Sequence, residues 1–127
     1  MKIIHANRFG KGENLVIIHG FLGMGDNWKR LGKKWADLGS CVHLLDMRNH
    51  GRSFHDDEFN YKVMTQDVIN YLTNQRVDSC CIIGHSMGGK VAMQLAMEKP
   101  EIIEKLVVVD IAPKYYPKHH DYILDGL

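Results

Sequence analysis

The chain has 127 residues, a length that suits one domain, and 45% of them are hydrophobic, enough to form a buried core. Its 16 Lys and Arg residues nearly balance its 15 Asp and Glu residues, so charge argues against a nucleic-acid partner. No apolar run is long enough to span a bilayer, and the N-terminus lacks the apolar region of a signal peptide. We therefore expect no membrane insertion and a cytoplasmic location.

The elements are predicted from apolar runs that alternate with amphipathic stretches. The predicted strands are residues 15–18, 42–45, 80–83 and 106–109, with residues 2–4 as a leading strand at the sheet edge. The predicted helices are residues 27–38, 61–74 and 86–98, the last of them ended by Pro100. Strands separated by helices predict an α/β fold with a mostly parallel sheet and helices on both faces.

Periodic apolar residues indicate which side of each helix is buried. The first helix has Trp28, Leu31, Trp35 and Leu38 at three- and four-residue spacing; the second has Tyr61, Met64, Val68 and Leu72 on one stripe. The three cysteines, Cys41, Cys80 and Cys81, lie in or beside strand patterns. Their odd number and spacing argue against a disulfide framework and a metal site, so we predict reduced core cysteines and no metal or other cofactor.

Loops that contain glycine, proline or polar side chains follow four of the predicted strands. They are residues 19–23, 46–53, 84–89 and 110–113. The carboxyl ends of parallel strands lie at one edge of a sheet, and α/β proteins bind their ligands there. The four loops are therefore predicted to gather at one rim.

The sequence of residues 84–88, Gly-His-Ser-Met-Gly, lies between an apolar strand and a helical pattern. Strand, sharp turn and helix form the context of a nucleophile elbow, in which Ser86 projects above the sheet. Small neighbours let strand and helix approach closely, and the N–H of Met87 is placed to stabilise an oxyanion. The alternative is a glycine-rich helix start in which the serine is only a cap.

The loop after the first strong strand is predicted to supply a second oxyanion donor. Gly20 permits a tight turn that aims a main-chain N–H at the site, with Phe21 as the preferred donor and Leu22 as the alternative. His19 is interpreted as a structural side chain that holds this loop rather than as a catalytic group.

The loops after the second and fourth strands carry further polar candidates. In residues 46–53 we expect mutual bracing rather than catalysis, with the guanidinium of Arg48 or Arg52 holding carbonyl groups. Asp110 ends an apolar strand, where a carboxylate is costly without a partner. We interpret Asp110 as the acid that orients a catalytic histidine; an N-cap or a loop brace is the alternative.

Together these segments resemble the α/β-hydrolase superfamily. The residues that carry the resemblance are HGFLG at 19–23, DNW at 26–28, DMRNHGRS at 46–53, GHSMGGK at 84–90 and VVDIAP at 108–113. More narrowly, they are similar to the branch of small acyl-ester hydrolases, close to short-chain esterases and acyl-CoA thioesterases. The resemblance implies Ser86 as nucleophile and Asp110 as acid. It implies that residues 1–113 form the N-terminal part of the hydrolase core and that residues 114–127 begin a lid.

The resemblance also implies a histidine base in a loop after the last strand of the fold. The chain has no counterpart of the last strands or of that histidine, and neither His119 nor His120 stands at its position. We therefore predict a serine hydrolase for small-molecule carboxylic esters or thioesters, with turnover lowered by the absent histidine. The bare strand at residues 106–109 predicts self-association through the sheet edge. The alternatives are a non-catalytic remnant or interaction module, and a hydrolase-fold enzyme of different chemistry.

Overall fold

A computed structural model describes residues 1–109. In this region the strands are β1 (Ala6–Phe9), β2 (Glu13–Ile18), β3 (Ser40–Leu45), β4 (Cys80–His85) and β5 (Ile103–Val109); the α-helices are α1 (Lys29–Asp37), α2 (Tyr61–Asn74) and α3 (Met87–Glu98). Short 3-10 turns lie at Gly25–Trp28 and Pro100–Ile102. Asp110, residues 111–113 of the predicted core and the predicted lid segment 114–127 lie outside the described residues.

The strands form one sheet in the order β1-β3-β2-β4-β5. The β3–β2, β2–β4 and β4–β5 pairs are parallel, and only β1 runs antiparallel to its neighbour β3. This arrangement confirms the predicted α/β class with a mostly parallel sheet. It also places the carboxyl ends of β2, β3, β4 and β5 at one edge.

The predicted leading strand at residues 2–4 is wrong in position. The edge strand is Ala6–Phe9, whose first residue pairs with Leu45 of β3. Ile4 is instead a core residue, only 3% exposed, and the carbonyl of His5 accepts a hydrogen bond from the Asp46 N–H at 2.8 Å. The apolar run at residues 2–4 therefore indicates a buried segment but not a strand. The strand is defined by pairing with β3, which begins at Ala6.

Helices cover both faces of the sheet, as predicted. On one face, Val16 and Ile18 of β2 belong to a large core cluster that includes Val68 of α2 and Val91 of α3. On the other face, Ile17 packs with residues of β3 and with partly buried residues at and before α1. Successive residues of β2 thus enter opposite cores, which explains its unbroken apolar run.

The predicted buried side of the first helix is only partly correct. Leu31 and Leu38 are 45% and 83% exposed, whereas Trp28 and Trp35 are half-buried against the smaller core. The buried residue of α1 is Gly32, where an added Cβ would lie 3.1 Å from the ring of Phe9, so the helix sits close to the sheet there.

The second helix has the predicted bounds and most of the predicted buried side. Its three later stripe residues, Met64, Val68 and Leu72, are buried, whereas Tyr61 is 37% exposed. All three cysteines are free: Cys41 and Cys80 are buried, and Cys81 is partly exposed.

A buried polar group lies within the sheet at His43. The side chain of His43 is fully buried; its Nδ1 lies 2.8 Å from the Tyr71 hydroxyl and its Nε2 lies 2.9 Å from Oδ1 of Asn14. With the amide oxygen as acceptor, Nε2–H donates to Asn14 and the hydroxyl donates to Nδ1. Burial lowers the pKa of His43 from 6.5 to about 4, so the neutral ring belongs to the folded state.

Candidate active site

Three of the four predicted rim loops lie in the described region, and close backbone packing joins two of them. At Gly88, an added Cβ would lie 2.6 Å from the carbonyl oxygen of His19, and closer still to that of Ile18. The first turn of α3 therefore rests directly on the end of β2. The loop at residues 110–113 lies outside the described part of the chain.

Ser86 occupies a strained turn between β4 and α3. Its φ of 54° and ψ of −111° lie in a region that residues with a side chain rarely adopt, at a cost of about 1–3 kcal/mol. The turn also requires Gly84, because an added Cβ there would lie 2.7 Å from Cα of Gly89. Ser86 is the N-cap residue of α3, yet its side chain makes no capping hydrogen bond. This geometry does not support the cap alternative.

The last pairing of β4 and β5 holds the turn at Ser86 against the end of β5. His85 lies opposite Val109, and the Ser86 N–H donates to the carbonyl of Val109 at 2.9 Å. Val109 immediately precedes Asp110 in the chain. The main chain beside Ser86 is thus held by the strand that leads into the predicted acid.

The backbone N–H groups of Met87 and Phe21, at the rim, have no acceptor among residues 1–109. Met87 is the first residue of α3, so its N–H is left free by the helix geometry. In the loop after β2, the Leu22 N–H donates to Nε2 of His50 at 3.0 Å and the Gly23 N–H donates to the carbonyl of Gly20 at 3.0 Å. The Phe21 N–H, by contrast, has no partner in this region.

His19 has the structural role that the sequence indicates. It is 1% exposed, and its Nε2 accepts a hydrogen bond from the Met47 N–H at 3.0 Å. The proton therefore lies on Nδ1, which donates to the carbonyl of Gly20 at 2.7 Å. Burial lowers the pKa of His19 and favours this neutral form.

Arg48, and not the side chain of Arg52, supplies the predicted guanidinium brace. Its Nε and Nη2 donate to the Asp67 carboxylate at 2.6 and 2.9 Å, and its Nη1 donates to the carbonyl of Glu58 at 2.8 Å. The hydrogen bond to Asp67 raises the pKa of Arg48. Sequence reasoning missed Asp67; its only signal is a carboxylate one turn after Met64, on the buried side of α2.

Asp46 fixes the start of the same loop. Its Oδ1 accepts from the Gly25 N–H at 2.7 Å, and its Oδ2 accepts from the Arg52 N–H at 3.1 Å. The Ser53 hydroxyl donates to the Asp46 carbonyl. These bonds confirm the predicted bracing within residues 46–53 and extend it to the turn that precedes α1.

An apolar pocket of about 400 Å³ lies beside the elbow. Its lining residues, which do not include Ser86 itself, are His19, Gly20, Phe21, Gly23, Asn27, Trp28, Leu31 and His85. The ring of His85 packs edge-on against Trp28 at 5.8 Å, so the residue before Ser86 forms part of the pocket wall. The sequence predicts Trp28 and Leu31 on the buried side of the first helix. Both line this pocket, which explains why Leu31 is partly exposed to solvent.

Residues 1–109 contain neither a cluster of metal-ligating side chains nor a membrane-spanning helix. In that region no group of three His, Cys, Asp or Glu side chains is arranged to hold a metal ion. None of its helices combines the length and the apolar character needed to cross a bilayer.

Comparison with known proteins relates this arrangement to a large group of enzymes. The family described as alpha/beta hydrolase fold matches residues 13–125. The sn-1-specific diacylglycerol lipase ABHD11 of Danio rerio is 42% identical over 120 residues, which are 90% of this chain and 38% of that protein. Esterase YbfF of Escherichia coli is 41% identical over 114 residues, 89% of this chain and 44% of that protein.

Solved structures agree with the sequence relatives. A marine microorganism esterase superposes with a TM-score of 0.85 at 39% identity, covering 99% of this chain and 51% of the esterase. The chain spans less than half the length of the two curated relatives. Its sequence relatives include esterases and lipases, and its fold matches that of the marine esterase. The chain belongs to the α/β-hydrolase fold family.

Proposed function

We propose that the protein is a serine hydrolase of carboxylic esters or thioesters, with Ser86 as its nucleophile. The observation that carries this proposal is the conformation of Ser86: a positive φ of 54° at the turn between β4 and α3, with no capping bond from its side chain. Backbone strain of this kind persists where the surrounding structure imposes it, and it is concentrated at functional sites. The esterase and lipase relatives support the same chemistry.

In the proposed reaction, Oγ of Ser86 forms a bond to the substrate carbonyl carbon as its proton passes to a base. The N–H groups of Met87 and Phe21 donate to the oxyanion that develops. Both lack an acceptor within residues 1–109, whereas the alternative donor Leu22 already donates to His50. Collapse of the tetrahedral intermediate releases an alcohol or thiol, and water then frees the acid from the acyl-enzyme.

Asp110 is proposed as the acid that orients the base, on the strength of its position after Val109 and the bond that ties Val109 to the elbow. The base itself is assigned to none of the three buried histidines. His19, His43 and His50 each have both ring nitrogens engaged in hydrogen bonds. A base must exchange its proton with Ser86, so these rings serve other roles.

The pocket beside the elbow suits an apolar acyl group. Phe21, Trp28 and Leu31 supply most of its apolar wall, and the volume of about 400 Å³ accommodates a short chain. Self-association through β5, whose residues 106–109 are all more than a third exposed, is a separate part of the proposal.

The experiment is hydrolysis of p-nitrophenyl acetate and butyrate by the purified protein and two serine variants. Ser86→Ala removes the nucleophile, and Ser79→Ala is the control, because Ser79 lies just before the opposite end of β4. We expect hydrolysis to be lost in the first variant and retained in the second. A rate above the uncatalysed background that is equal in Ser86→Ala and the parent protein would exclude Ser86 as nucleophile.

A further inference from the structure

The loop that carries Phe21 is held by two neutral histidines from different parts of the chain. His19 Nδ1–H donates to the carbonyl of Gly20, which belongs to the same planar peptide as the Phe21 N–H. The Leu22 N–H, which belongs to the next peptide, donates to Nε2 of His50 at 3.0 Å. The two successive peptide planes that flank Phe21 are therefore each tied to an imidazole.

The acceptor for the Leu22 N–H comes from outside its own loop: it is Nε2 of His50, 28 residues later in the chain. Leu22 has a φ of 63°, a left-handed conformation that is strained for a residue with a side chain. Its side chain is 82% exposed and contributes little packing to offset that strain. The hydrogen bond to His50 therefore adds to the turn bond from the Gly23 N–H to the Gly20 carbonyl, and it ties the Phe21–Leu22 peptide to a distant part of the chain.

His50 is itself rigidly placed. Its ring is 7% exposed, and its Nδ1 donates to the Arg48 carbonyl at 2.9 Å, which leaves Nε2 as the acceptor for Leu22. Arg48 is in turn held by both oxygens of Asp67 on α2. The rings of Phe21 and Phe59 pack against His50 at 5.7 and 5.9 Å.

We infer that His50 is a positioning residue for the oxyanion hole: its Nε2 holds the Leu22 N–H and so keeps the neighbouring Phe21 N–H aimed at the reacting carbonyl. This inference rests on the proposed function, because it presumes that Phe21 donates to the oxyanion. His50 touches no reacting atom. A histidine that only filled space in the core would affect the stability of the fold without a specific effect on the reaction at Ser86.

The test compares His50→Gln with His50→Asn. The longer Gln side chain extends its amide oxygen to the place of Nε2 and retains an acceptor for Leu22. The shorter Asn reaches only the place of Nδ1 and loses it. A fluorophosphonate probe forms an Oγ–P bond to the serine as the P–F bond breaks and fluoride leaves, and its phosphoryl oxygen gains negative charge in the pentacoordinate transition state, where oxyanion donors can stabilise it. We expect kinact at Ser86 to fall about 100-fold in His50→Asn, the size of effect seen when an oxyanion donor is lost. We expect it to stay within about tenfold of the parent in His50→Gln, with KI little changed in both.

Amide hydrogen exchange at Leu22 is the second readout, since it reports the hydrogen bond without any reaction. Protection of that amide should be lost in His50→Asn and retained in His50→Gln. If the two variants give equal kinact values, or if kinact follows the melting temperature alone, His50 is not a positioning residue. If the parent protein itself fails to react at Ser86, the proposed function fails, while the exchange data still decide whether His50 holds Leu22.

Discussion

Replacing Gly88 with Ala should displace the turn that carries the proposed nucleophile, Ser86. The added Cβ would lie 2.6 Å from the His19 carbonyl oxygen, whereas ordinary contacts begin at 3.4 Å, and the Ile18 oxygen is closer still. Both obstacles are backbone atoms of the β2 end and cannot rotate away. The start of α3 must therefore move by about 1 Å, a misplacement that costs on the order of 100-fold in rate when it affects a reacting group. We also expect about 1–3 kcal/mol of destabilisation from overpacking.

The assay is kcat/KM for p-nitrophenyl acetate together with the free energy of unfolding in urea. Gly39→Ala is the matched control: an added Cβ there meets nothing within 4 Å, yet the φ of +104° imposes strain. This control should lose stability and keep its rate, because Gly39 follows α1 at the opposite end of the sheet from the elbow. A Gly88→Ala variant that retained the parent rate would refute the argument that α3 must rest on β2 for the elbow to work.

Three further predictions concern stability and association. Asp67→Asn removes the charged partner of the buried Arg48 and should lower the free energy of unfolding by about 3–5 kcal/mol in urea titrations; a loss below about 1 kcal/mol would contradict it. Because burial lowers the pKa of His43 from 6.5 to about 4, the stability from its neutral form should be complete above pH 6.5. It should be lost as the pH falls toward 4, by up to about 3 kcal/mol, and His43→Gln should flatten that slope. Sedimentation velocity at micromolar concentration should show self-association that Val107→Lys reduces, since Val107 is 49% exposed on the edge strand of the described sheet; a monomeric parent would exclude this association.

The architecture was predictable because local chemistry and tertiary structure agree along most of the chain. The second helix has the predicted bounds, since Asn60 caps its first turn and the apolar stripe continues to Leu72. The close approach of strand and helix at residues 84–88 was equally visible, because only glycine fits at positions 84 and 88 where backbone approaches backbone. The cap at Asn60 and the contact of Gly84 with Gly88 and Gly89 act within a few residues, whereas Gly88 meets the distant end of β2.

The hydrogen bonds that brace the rim loops were not predictable from local sequence. The sequence indicates Arg48 or Arg52 as the brace, but Asp67, the partner of Arg48, lies 19 residues away on a helix whose register against the loop depends on the whole core. The bond between Leu22 and His50 joins positions 28 residues apart. The first strand was misplaced for a related reason. An apolar run indicates that Ile4 is buried, but it does not show that strand pairing begins two residues later, at Ala6.

The assignment of Ser86 as nucleophile is tested most directly by mapping a fluorophosphonate adduct on the purified protein by mass spectrometry. We predict a single adduct on the peptide that contains Ser86, absent from Ser86→Ala and unchanged in Ser79→Ala. An adduct on another residue, or no adduct under conditions that label a known serine esterase, would contradict the assignment.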